Sequence, residues 1–75
     1  MHPDTLQLAV WKFKANDKNI LKLVFNNQEF TYDNNVIIEC YDTCFCISNK
    51  LNDGAVHTVY IEYGIIMGVE VIEQT

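Results

Sequence analysis

Arginine is absent from this chain of 75 residues, proline occurs once, and no apolar run is long enough to cross a bilayer. Each absence excludes something. Arginine is the side chain best suited to bidentate contact with phosphate or guanine. Without it, and with five Lys against ten acidic residues and a net charge of −5, broad nucleic-acid binding is disfavoured. The longest apolar stretch, residues 61–72, is broken by Glu62, Gly64, Gly68 and Glu70. It is too short and too polar for a membrane span. The N-terminus shows no basic region followed by an apolar run, so no secretory leader is expected. The three cysteines form no C-x-x-C, and their odd number suits a reducing, cytoplasmic setting.

What is present fits one small acidic domain, residues 1–75. Nearly half the residues are hydrophobic, which suffices for folding and excludes disorder. A domain of this size buries only roughly 60% of its unfolded surface, so a partner or a second copy would help it. Abundant Asn and Ile with no Arg suit an AT-rich genome, such as that of a low-GC bacterium or its phages.

The punctuation is Asn, Asp and Gly, residues that tolerate left-handed backbone or form Asx-turns. Residues 5–14, "TLQLAVWKFK", alternate in a strand-like way, although Leu6, Val10 and Phe13 also match a helix at i, i+4, i+7. The strand is the preferred reading, because "ANDKNI" then supplies a hairpin turn before "ILKLVF". Asn26-Asn27 reads as a two-residue type I′ turn. Further turns fall at 33–35, at Asp42-Thr43 and at Asp53-Gly54, and Gly64 and Gly68 mark a bend or bulge. The expected fold is all-β: a small, strongly bent antiparallel barrel or sandwich of five to seven short strands, with a short N-terminal helix as the variant. Residues 6–13 and 61–72 carry apolar side chains on both faces. A homo-oligomer or an obligate protein partner is therefore expected.

The densest candidate for chemistry is "IECYDTCFCIS", residues 38–48, which holds Cys40, Cys44 and Cys46. In one continuous strand these three would share a face. With His57 they would make a Cys3His zinc set, and Cys40-x3-Cys44 has an acceptable ligand spacing. No Gly or Pro forms a knuckle there, so buried cysteines packed as small hydrophobes are the stronger reading, and no metal or cofactor is assigned. Glu39, Asp42, Glu62 and Glu70 lie in or beside alternating strands, where carboxylates face solvent, and His57 is the one internal histidine. No catalytic pair emerges, and the chain is expected not to be an enzyme.

"VIIECYDTCFCISN" followed by "VYIEYGIIMGVEVIE" resembles the strands of Sm-like proteins, with a corner Asp at Asp42. The resemblance runs over residues 20–72 and extends to other SH3-like barrels. It implies a bent small barrel that forms rings through strand edges. It carries over no RNA site: no Gly stands near Asn34 and Asn35, Cys46 or its neighbours replace the expected Asn, and Glu62, Tyr63 and Gly64 replace a basic motif.

The leading functional expectation is a cytoplasmic, non-enzymatic protein-interaction module, of the kind a phage or mobile element uses as inhibitor or adaptor. Its expected contact residues are Trp11, Glu39, Tyr41, Tyr60 and Glu62. The second reading is an Sm-like oligomer that binds RNA through Lys12, Lys14 and Lys22, which alternate or lie close to Trp11 and Phe13. The third is a structural zinc module.

Overall fold

A computed structural model describes residues 1–74. Its elements run α1 (Pro3–Lys14), β1 (Ile20–Phe25), β2 (Gln28–Tyr32), β3 (Val36–Cys40), β4 (Cys44–Lys50), β5 (Val56–Glu62), a short 3-10 turn (Tyr63–Ile65) and β6 (Ile66–Ile72). The strands form two antiparallel three-stranded sheets, ordered β2-β1-β6 and β3-β4-β5. The mostly-β expectation with an N-terminal helix holds. The closed barrel does not: the sheets share a core but not a ladder among the described residues, and each keeps two edge strands.

Residues 5–14 are helix, which corrects the strand reading. His2 caps the helix by accepting from the Asp4 amide through Nδ1 at 3.1 Å, and Pro3 occupies its first turn. Asp4 near the start and Lys12 and Lys14 near the end suit the helix dipole. Leu6, Val10 and Phe13 are buried, whereas Leu8 and Trp11, which completed the strand-like alternation, face solvent. "ANDKNI" is accordingly a helix-to-strand connector. Asn19 is buried within it. Its Nδ2 donates to the Lys12 carbonyl at 3.0 Å and its Oδ1 accepts from the Gln74 amide at 3.1 Å, tying the end of α1 to the chain beyond β6.

The turns follow their chemistry. Asn26 and Asn27 have φ of 53° and 60° and join β1 to β2 between the paired Phe25 and Gln28, as a type I′ turn requires. Asp33 accepts from the Asn35 amide and Asp53 from the Ala55 amide, and Gly54 takes φ of 88°. Opposite Val24 and Phe25, β6 contributes Ile66, Met67 and Gly68 where register would need one residue fewer, a bulge beside the expected Gly68.

Leu21, Leu23 and Phe25 of β1 and Ile38, Phe45, Ile47 and Ile61 of the second sheet meet in one core. α1 closes that core against β6, β1 and β3. Phe45, Leu6, Leu21 and Leu23 are fully enclosed, each worth about 1.5–3 kcal/mol of apolar burial. Phe45 stacks on Tyr63, and Phe25 on Phe30. No helix among the described residues is long and apolar enough to cross a membrane.

Candidate functional site

The face of sheet β3-β4-β5 that turns away from the core is built by register. Glu39 of β3 stands opposite Cys46 of β4, which stands opposite Tyr60 of β5. The next row is Ile37, Ser48 and Thr58, and Cys44 pairs with Glu62. Paired residues share a face and successive residues alternate, so this outer face excludes Phe45, Ile47 and Ile61, which enter the core. α1 packs on the other side of the sheet, against β3, β6 and β1.

The central strand gives this face a floor of small side chains. Cys46 is only 5% exposed, flanked in its row by the longer Glu39 and Tyr60. Its Sγ lies 3.9 Å from the Ser48 hydroxyl, which is 3.2 Å from the Thr58 hydroxyl. Above this floor stand the large side chains: Tyr60 is 69% exposed and Tyr41 is 48% exposed, with Ile37 and Val56 exposed beside them.

Tyr41 is anchored at both ends. Its amide donates to the Cys44 carbonyl at 2.8 Å, which closes the β3–β4 hairpin. Its carbonyl accepts from the buried Tyr63 hydroxyl at 2.6 Å. Its own hydroxyl donates to Glu39 Oε2 at 2.6 Å. That bond and the Glu39 charge push the Tyr41 phenol up to about 12, because ionisation would remove the donor and set two anions side by side. The Tyr63 phenol is also raised, first by burial and then by Cys40.

Four of the five expected contact residues, Glu39, Tyr41, Tyr60 and Glu62, therefore meet on one face. Trp11 does not join them: it projects from α1 and is 74% exposed. Ile37, Val56 and Lys50 belong to the face and were not singled out. The signal that identifies them is alternation along each strand with Glu39 and Cys46, carried across the β4–β5 turn by the pairing of Lys50 with Val56.

The cysteines separate. Pairing of Cys40 with Phe45 puts Cys40 on the core side, while Cys44 and Cys46 are on the outer face. Residues 41–43 reverse the chain, at the turn expected around Asp42-Thr43, and the hairpin register matches even-numbered residues with odd ones, so the three cysteines do not share a face. His57 pairs with Asn49, on the core side with Ile47, so the four residues of the alternative Cys3His zinc set divide two and two. No cluster of three metal-ligating side chains occurs among the described residues.

The lysines do not form the expected strip. Lys12 and Lys14 are on α1 rather than interleaved along a strand. Lys12 pairs with Glu73 at 3.2 Å, Lys14 donates to the Ile38 carbonyl at 3.0 Å, and Lys22 lies between Glu29 and Glu70 at 3.3 and 3.8 Å. At the open side of the sheets, Phe25, Phe30, Tyr32, Ile47, Val59, Asn49 and His57 line a cleft of about 270 Å³. No protein-family model, curated protein or solved structure matches the chain.

Proposed function

We propose that this chain is a non-enzymatic protein-interaction module and that its working surface is the outer face of β3-β4-β5. The carrying observation is the convergence there of two exposed tyrosines with Glu39 and Glu62 over a floor of Cys44, Cys46 and Ser48. The Tyr41–Glu39 hydrogen bond holds two of these side chains in place before binding, which lowers the ordering cost of association.

The chemistry of the face selects the partner. Carboxylates accept bidentate guanidinium hydrogen bonds, and tyrosine faces attract cations. Asp42 adds a third acidic group near the hairpin end, and the chain as a whole carries −5. A protein segment bearing Arg and Lys is the complementary partner. This role fits an acidic inhibitor or adaptor acting on a basic host-protein surface.

Binding to Arg-rich and matched acidic peptides tests the reading. Binding of the Arg-rich set, weakened at least tenfold by E39K and by Y60A and reduced by salt, is the expected result. Equal binding of both sets, or Arg-peptide binding indifferent to both substitutions, would overturn it. Tighter binding of RNA than of any peptide would favour an Sm-like role instead.

A further inference from the structure

The four sheet edges are not equally protected. Edge strands expose unpaired backbone groups, and proteins blunt them with charge, bulges, short length or covering elements. β2 has five residues and carries Glu29. β6 has the bulge at Met67-Gly68 and lies under α1. β3 has Glu39, and Lys14 caps the Ile38 carbonyl. β5 has no bulge, no covering helix and no charge ahead of its last residue. It is seven residues, "VHTVYIE", pairs with β4 without a register shift, and carries no Lys, Pro or Gly. Its one carboxylate, Glu62, is the last residue.

We infer that β5 pairs antiparallel with β5 of a second copy, joining two chains through a continuous six-stranded sheet. A two-fold axis at Val59 sets Val59 opposite its counterpart, Thr58 opposite Tyr60, and Val56 opposite Glu62. The decisive point is charge. Val56 is in register with Lys50 on β4. Across the new junction, one outer-face row therefore reads Cys44, Glu62, then Val56 and Lys50 of the second copy. Glu62 and that Lys50 are separated by two strand spacings, roughly 9.5 Å, a gap two long side chains can bridge above valine. Neither Glu62 nor Lys50 has an ion-pair partner among the described residues of a single copy. Symmetry makes the match twice, and Glu62 meets no like charge.

The same pairing brings the two outer faces side by side and adds a backbone strand next to the cleft that His57 and Val59 line. It stands apart from the proposed partner chemistry, since a dimer could form whether or not the face binds a basic segment.

Light scattering and native mass spectrometry of the full chain, up to ~1 mM, should find a species of twice 8.7 kDa. Amide hydrogen exchange should show β5 protection that rises with protein concentration while β2 protection stays constant. V59K, which puts a charge at the junction, should give a folded monomer by far-UV circular dichroism. K50E should weaken the dimer roughly two- to thirty-fold, and K50E/E62K should restore it. A monomer at every concentration, a dimer whose β5 amides ignore concentration, or a dimer not weakened by K50E would overturn the inference. The exchange experiment uses the unaltered chain, so misfolding of a variant cannot decide the outcome.

Discussion

The Tyr41 hydroxyl donates to the Glu39 carboxylate at 2.6 Å, joining the end of β3 to the residue that begins its turn. Two exposed side chains, both singled out from sequence as contact residues, are thus already partners in the free chain. The bond orders the acidic face at its hairpin end and gives Tyr41 an ionisation unlike that of an ordinary exposed tyrosine.

That difference is measurable. Ultraviolet titration should show one tyrosine ionising near pH 12, and E39Q should return it toward 10. The folded-state pKa lies above the unfolded one, so the contribution to stability is fully present below pH 10 and is lost as pH rises through about 12. Tyr32 and Tyr63 are raised as well, mainly by burial, and push in the same direction. Chemical denaturation above pH 10 should find falling stability, with a shallower fall in E39Q.

Thiol reactivity separates the three cysteines. Cys40 and Cys44 are half-buried, and Cys46 is buried between Glu39 and Tyr60. A disulfide-exchange reagent should modify Cys46 last, at a rate that rises when denaturant opens the sheet. C44A and C46A should each cost about 1 kcal/mol or less of unfolding free energy, and a chelator should leave the melting temperature unchanged. Rapid reaction of Cys46, or a melting temperature lowered by chelator, contradicts this assignment.

The β1–β2 turn gives a backbone prediction. Asn27 has φ of 60°, where a β-branched residue is disfavoured by about 1–2 kcal/mol. N27V should lower unfolding free energy by that amount in urea titration. N27G should be neutral or slightly stabilising, because glycine enters left-handed backbone without a Cβ clash. Equal stability of both variants would mean that the turn does not keep its two left-handed residues in solution.

Much of this fold was legible in the sequence for local reasons. The β1–β2 turn needs two left-handed residues, and adjacent asparagines supply them. Asp33, Asp53 and Gly54 punctuate the chain through their own short-range chemistry. The helix was harder. "TLQLAVWKFK" satisfies period two and period 3.6 equally, and His2-Pro3-Asp4 at one end and two lysines at the other favour a helix without deciding it. The candidate face was half legible. Glu39, Tyr41, Tyr60 and Glu62 were found as exposed aromatics and carboxylates, but their assembly depends on strand pairing, which no single segment encodes. For the cysteines the turn at Asp42-Thr43 was legible, but which face each thiol takes depends on the hairpin register across that turn.

By itself, then, the sequence determined the strands from Ile20 onward, the turns between them and the acidic character of the surface, because these depend on side chains and their immediate neighbours. Tertiary structure decided that residues 3–14 form a helix, since Leu6, Val10 and Phe13 fill the space the two sheets leave open. It decided that Cys40 faces inward while Cys44 and Cys46 face out, since hairpin register sets parity across a turn. It also left β5 as the unguarded edge, a property that exists only once every other strand has found its neighbours.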